Sequence, residues 1–152
     1  MTHLIRPSKG GDAQLLAPHL RAADVAELAA TGTSPEQALH LGFRHSNACL
    51  TVEGADGTPA IMFGVVQTGE DAAALWLLSD DRIGGELRGP FLRKGQEFLD
   101  WFHRDWPLLY NEVWEGNGRH IRWLRWLGFM FIHRRVTEEG EAFLQFAKIK
   151  HV

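Results

Sequence analysis

The chain has 152 residues, 45% of them apolar and six of them Trp, which supports one domain with its own core and excludes a disordered polypeptide. A net charge of −3 gives no general attraction to nucleic acid, which is not expected as a partner. A single Cys49 excludes an internal disulfide, no apolar run approaches the ~20 residues of a membrane span, and the N-terminus lacks a signal-peptide pattern, so a soluble protein of a reducing compartment is expected.

Leu4-Ile5-Arg6-Pro7 reads as a short strand closed by Pro7. Asp12 is placed to cap a helix carrying Leu15, Leu16, His19 and Leu20. Arg21 to Ala30 predicts an Ala-rich helix with Val25, Leu28 and Ala29 on its apolar side, stopped by Thr31-Gly32. Ser34 and Pro35 open a third helix, and Gly42 is expected to end it. Ala48–Glu53 and Pro59–Thr68 read as a hairpin turning at Gly54–Gly57. Ala74–Leu78 is apolar on both faces, as a central strand requires.

Ser79–Gly89 is a polar, Gly-rich loop leading to a helix over Pro90–Arg104, with Phe91, Leu92, Phe98, Leu99 and Phe102 as its apolar stripe. Leu108–Trp114 is the next strand. After the turn Glu115–Gly118 comes a helix from Arg119 to Leu127, with Ile121 and Leu124 on one face and Arg119, Arg122 and Arg125 on another. Gly128 ends that helix, and Phe129–Ile132 pairs with Ala142–Phe146 across a turn at Glu139-Gly140. Antiparallel hairpins followed by two strand–helix units imply right-handed crossovers, a locally parallel pair, and a mixed α/β sheet with helices on both faces. The spacing shows no repeat or linker, so residues 1–152 are expected to form one domain.

This order resembles the GNAT (N-acetyltransferase) superfamily, as does the spacing of Asn117 and Gly128-Phe129 around the last helix. A nearer resemblance covers almost the whole chain. It is to phage-encoded GNAT-like proteins of the group that includes internal virion protein A of short-tailed phages. It rests on Ile5-Arg6-Pro7, Arg21-x-x-Asp24-Val25-x-Glu27-Leu28, Trp76-Leu77-Leu78, Phe91-Leu92-Arg93, Tyr110-Asn111-x-Val113 and Asn117-x-x-His120-Ile121-Arg122-Trp123-Leu124. The resemblance implies a mostly antiparallel sheet of six to seven strands whose fourth and fifth strands splay apart. It also implies acetyl-CoA or another acyl-CoA as cofactor, its pantetheine between those strands and its pyrophosphate on a Gly-rich turn at a helix start. Leu77, Leu78, Arg82, Gly84, Gly85, Asn117 and His120 then fall at the cofactor.

Three positions depart from the family pattern. In Arg82-Ile83-Gly84-Gly85-Glu86-Leu87, Arg82 and Gly85 match the phosphate turn, but Leu87 replaces a small residue and Glu86 adds negative charge. Leu124 stands where many GNAT enzymes carry the Tyr that protonates the departing thiolate. A general base would be Glu112, with Glu53 behind it; the alternative is an edge carboxylate paired with a nearby Arg. Tyr110, the only Tyr, is the remaining candidate acid or else a core residue. The His residues show no metal-ligand spacing, and no metal is expected.

Arg119 and Arg122, with Trp123 and Trp126 interleaved, read either as a solvated face or as a contact surface for phage structural proteins or a second copy. Two functions follow from the resemblance. One is an internal-virion-type protein acting in virion assembly through protein contacts, in the virion or host cytoplasm, with a degenerate acyl-CoA site. The other is a working N-acyltransferase on a small-molecule or protein amine, which a Trp76 plugging the splay would exclude.

Overall fold

The computed structural model describes residues 5–150, so Leu4 of the first expected strand lies outside the described residues. In chain order the elements are β1 (Ile5–Pro7), α1 (Asp12–Leu16) continued by a 3₁₀ turn, α2 (Ala22–Ala30), α3 (Pro35–His45), β2 (Ala48–Glu53), β3 (Pro59–Gln67) and β4 (Ala72–Ser79). After a 3₁₀ turn at Asp81–Gly84 come α4 (Arg88–His103), β5 (Leu108–Trp114), α5 (Gly118–Trp126), β6 (Met130–Val136) and β7 (Ala142–Ile149). The strands form one seven-stranded sheet in the order β1-β2-β3-β4-β5-β7-β6. Every neighbouring pair is antiparallel except β4 and β5. β4 is the middle strand, as its two-sided apolarity requires.

Alternation along β3 and β4 sends side chains to two cores. On one face Phe63, Leu75, Leu99, Phe102 and Leu109 join α4 and α5 to the sheet. The Phe63 ring meets Phe91, Phe98 and Phe102 edge-on at 5.5, 5.0 and 6.2 Å, the arrangement that ring quadrupoles favour. On the other face Met62 and Leu78 pack with Leu16, Leu20 and Leu39 of the N-terminal helices.

Several local expectations are corrected. Gly42 does not end α3, which runs to His45. It lies under the Trp76 indole, where a Cβ would come within 2.6 Å of the ring, so the glycine admits the tryptophan. Asp12 is not a cap but the first residue of α1, buried and paired with Arg6 at 2.7 Å. In α2 the apolar side is only partly as expected: Leu28 packs against the core, but Val25 and Ala29 are exposed and Asp24 is fully buried. Gly128 does follow α5, with φ of 93°, and Lys148 Nζ donates to the Leu127 carbonyl at 2.7 Å to close the helix end. β6 and β7 run several residues beyond their expected ends. Among the described residues, no helix is long and apolar enough to cross a membrane.

Candidate functional site

The two central parallel strands pair at three positions only, Ala72 with Leu108, Ala73 with Leu109 and Ala74 with Tyr110. Beyond these β4 runs on to Ser79 and β5 to Trp114 with no ladder between them. The neck is held by Asn111, whose Nδ2 donates to the Leu75 carbonyl at 2.8 Å. The splay opens into a cleft of about 330 Å³, walled by Leu28, Leu78, Leu124 and Phe146 and carrying Glu27 and Glu112 as its acids. Trp76 does not plug it. Its indole lies on Gly42 and donates to Ser46 Oγ at 2.7 Å.

Behind the cleft a polar cluster joins residues more than ninety positions apart in sequence. Arg21 Nη1 donates to Asp24 Oδ1 at 3.0 Å and stands 3.0 Å from His120 Nε2. Asn117 Nδ2 donates to Asp24 Oδ1 at 3.1 Å and lies 3.2 Å from His120 Nδ1. Asp24 Oδ2 accepts the Ser79 amide at 3.1 Å. Arg21, Asp24, Asn117 and His120 are all buried, and burial is tolerated because each has partners. Asn117 occupies the N-cap position of α5, yet its side chain makes no capping bond and turns into this cluster.

Burial lowers the His120 pKa to about 4, aided by the Arg21 and Arg119 charges and opposed by Asp24, so the ring is neutral at pH 7. Asp24, Glu27 and His120 place ligand atoms within 4.8 Å of one another. The Arg21 guanidinium already stands among them, which is unfavourable for a metal ion. Glu27 differs from Asp24. Its Oε1 accepts the Trp114 amide, and it enters no ion pair among the described residues. Burial first, and the Asp24 charge second among the raising effects, lift its pKa to about 7 against the opposing Trp114 hydrogen bond, Arg21 charge and Asn117 side chain. Sequence reasoning missed Glu27 as a site residue. Its signal is the Arg21, Asp24, Glu27 spacing, which aligns three charges along one side of a helix.

Glu112 also lines the cleft, but it is paired with Arg135, whose Nε and Nη2 donate to its two oxygens at 2.9 and 3.1 Å. Tyr110 sits at the last ladder pair, and its hydroxyl donates to Thr68 Oγ1 at 2.9 Å. Leu77, Leu78, His120 and Leu124 line the cleft. Glu53 is far along the sheet, where it accepts from Arg6 Nε at 2.6 Å.

Several amides of the Gly-rich turn are spent within it. The Arg82 amide donates to Asp80 Oδ1 at 2.9 Å, and the Gly85 and Leu87 amides both donate to the Arg82 carbonyl, at 3.0 and 2.9 Å. At the start of α4 the Arg88 amide donates to the Gly85 carbonyl at 3.1 Å and Phe91 to the Leu87 carbonyl at 2.9 Å. Pro90 has no N–H, so Gly89 alone of that first turn retains an amide not hydrogen-bonded to the backbone. Leu87 is fully buried in the core. The Arg82 guanidinium is engaged by Asp80 and Asp56. Gly84 lies against the Arg119 guanidinium, 2.8 Å from where a Cβ would be.

Between α4 and α5 lies a second hollow of about 240 Å³ with Arg88, Arg119, Arg122, Phe91, Trp123 and Trp126 on its walls. The expected Arg–Trp face is divided. Trp126 is 61% exposed, whereas Trp123 stacks on Phe91 at 5.4 Å and its indole Nε1 is buried with no acceptor. Trp123 and His120 line both hollows.

A mostly antiparallel seven-stranded sheet, opened between parallel central strands and flanked by helices on both faces, is the GNAT N-acetyltransferase fold. The chain superposes on a GNAT-family acetyltransferase of Bacillus anthracis with a TM-score of 0.70 at 12% identity, over 97% of this chain and 94% of that one. It superposes on the ribosomal-protein-S18-alanine N-acetyltransferase of Escherichia coli with a TM-score of 0.69 at 18% identity, over 96% of this chain and 92% of that one. In sequence it is similar to a protein of Escherichia phage T7 named Probable scaffold protein gp13, 29% identical over 140 residues, spanning 90% of this chain and 91% of the relative. No family model matches the chain.

Proposed function

We propose that this is a phage-encoded protein of the internal-virion type that acts in virion assembly or structure through protein contacts, on a GNAT fold whose acyl-CoA site is degenerate. The observation that carries the second half is the start of α4. A pyrophosphate there needs several free amides converging on it. In this chain Pro90 lacks one, Arg88 and Gly85 have given theirs to carbonyls, and Leu87 fills the core where a small residue would leave room. The residues present do not fit the coenzyme's phosphates. Leu124, buried in the cleft wall, has no proton to give.

The likeness to a phage scaffold protein supports the first half. The contact face in this reading is Arg119, Arg122 and Trp126, with Trp123 behind them, and it meets phage structural proteins or a second copy. Calorimetric titration with acetyl-CoA at millimolar concentration tests the degenerate site: no saturable heat is expected, and a saturable isotherm overturns the reading.

A second reading, an acyl-CoA-dependent N-acyltransferase on a small-molecule or protein amine, is favoured by one feature, the open cleft of about 330 Å³ between β4 and β5. Under it Glu112 takes a proton from the acceptor amine, Tyr110 is the remaining acid, and Leu77, Leu78, Arg82, Gly84, Gly85, Asn117 and His120 contact acetyl-CoA or another acyl-CoA. Glu112→Gln then lowers turnover, and unchanged turnover removes Glu112 from the mechanism.

A further inference from the structure

We propose that the hollow between α4 and α5 receives an acidic segment of a partner protein, with Arg88, Arg119 and Arg122 taking its carboxylates and Trp126 an apolar side chain beside them; the proposal rests on the protein-contact reading above. Arg6, Arg21, Arg82, Arg134 and Arg135 are each matched by a carboxylate at 3.0 Å or less. Arg88, Arg119 and Arg122 enter no ion pair among the described residues, and no Asp or Glu stands on the walls of the hollow. The Arg119 guanidinium lies on Gly84 and that of Arg122 on Gly118, two positions without a Cβ, which brings both charges to the junction of the Gly-rich turn and the start of α5. Like charges gathered in this way repel one another, and carboxylates from outside offset that cost.

The rest of the hollow sets what accompanies the carboxylates. Trp126 is 61% exposed at its edge, and Ile83, Phe91 and Leu92 supply apolar wall. Tryptophan and arginine are the residue types that most often carry the energy of a protein contact. At about 240 Å³ the hollow is smaller than the roughly 300–1,000 Å³ of a small-molecule site, and it suits a single side chain with its neighbours. A guanidinium meets a carboxylate with two parallel N–H donors, so an acid on either side of that chain is held in direction as well as by charge. This hold comes from side chains and needs none of the backbone amides spent in the turn. A nucleic acid is the poorer occupant. The chain carries a net charge of −3, so a polyanion is repelled wherever it runs beyond the hollow, whereas a short acidic segment is not.

The test is an NMR titration of the whole protein with the capped peptide acetyl-Glu-Glu-Phe-Glu-Glu-amide, with its Gln counterpart acetyl-Gln-Gln-Phe-Gln-Gln-amide, and with an oligothymidylate. The acidic peptide is expected to shift the Trp126 indole N–H and the Arg119 and Arg122 amides to saturation. The Gln peptide should bind at least about tenfold more weakly, since charge-assisted hydrogen bonds are lost. The double variant Arg119→Gln, Arg122→Gln changes two exposed side chains and should weaken the acidic peptide by a similar factor while leaving the Gln peptide unchanged. Equal binding of the two peptides overturns the proposal, as does acidic-peptide binding that ignores the double variant. Tighter binding of the oligothymidylate at the same residues overturns it in favour of nucleic acid. Shifts of those residues with protein concentration alone overturn it in favour of a second copy.

A further arm adds acetyl-CoA at millimolar concentration. No shift and no loss of peptide is expected. Displacement of the peptide by acetyl-CoA overturns the proposal, because the hollow is then part of a nucleotide site. Saturable acetyl-CoA binding that leaves the peptide in place refutes the degenerate-site reading and leaves the acidic-segment receptor standing. A protein blank to both ligands refutes the receptor alone.

Discussion

The splay between β4 and β5 and the phosphate corner at the start of α4 lie on the same sheet, yet different forces shape them. The splay follows from the core. Leu109 and Leu75 are buried beneath the strands, α4 and α5 pack on them, and Asn111 bridges the neck. Closing it would require the strands to move against close-packed side chains. The corner depends on a few amides and one small side chain. There Pro90 lacks an N–H, the Gly85 and Arg88 amides are spent on carbonyls, and Leu87 fills the core, which in the proposed reading weakens the hold on an anion. In the proposed reading scaffold and grip are thus separable, because a fold and the site it carries are set by different residues.

That separation can be probed from its strongest element downward. The largest effect is expected at the polar cluster behind the splay. Asp24→Ala leaves Arg21 buried without its carboxylate and Asn117 and the Ser79 amide without their acceptor, and should cost ~3–5 kcal/mol in chemical denaturation. A loss below 1 kcal/mol, read from the same unfolding curves, would mean that the cluster does not hold the splay.

Next comes the pH dependence at the cleft. The Glu27 pKa is raised from 4.5 to about 7 in the folded state, so folding favours the protonated acid, and stability from this group is present below pH 4.5 and lost as pH rises through 7. Glu27→Gln removes that loss. Its stability relative to the native chain should grow from near zero at pH 4.5 to ~3 kcal/mol at pH 8. His120 acts in the opposite sense. Its pKa is lowered from 6.5 to about 4, so its contribution is present above pH 6.5 and lost as pH falls toward 4. The two slopes offset each other between pH 4.5 and 6.5, and the Gln variant should therefore show a steeper acid loss than the native chain. Parallel stability curves for the two proteins would contradict the desolvated state of Glu27.

A smaller effect is expected at the corner itself. Pro90→Ala returns an amide to the first turn of α4 and should bring measurable, weak affinity for 3′,5′-ADP that the native chain lacks. Undiminished blankness to this ligand would shift the blame to Leu87 and Glu86. Smallest of all, Arg134→Ala breaks an exposed pair with Glu115 and should leave the melting temperature unchanged within error.

Much of the frame is readable from residue order. The two-sided apolarity of Ala74–Leu78 marks the middle strand, the Phe91-to-Phe102 stripe marks α4, and Gly128 marks the end of α5. Leu124 and Leu87 are equally legible as departures. The reverse holds for the site's charges. Asp24 and His120 meet across 96 positions, and nothing local in a helix written Ala-Ala-Asp-Val-Ala-Glu says that its acids, and not its Val25, turn inward. Periodicity assigns the polar side to solvent, and a buried Arg on another turn reverses it. Gly42 misled for a related reason: a glycine in a helix can mark an end or a close approach, and only the distant Trp76 decides between them.

The central claim is that the acyl-carrier scaffold persists here without its hold on the coenzyme. The most direct test is equilibrium unfolding of the native chain with and without millimolar acetyl-CoA. A ligand present at 100 times its dissociation constant stabilises by ~2.7 kcal/mol. Superimposed unfolding curves are predicted; a stabilisation of that order, saturating with coenzyme, would contradict the account.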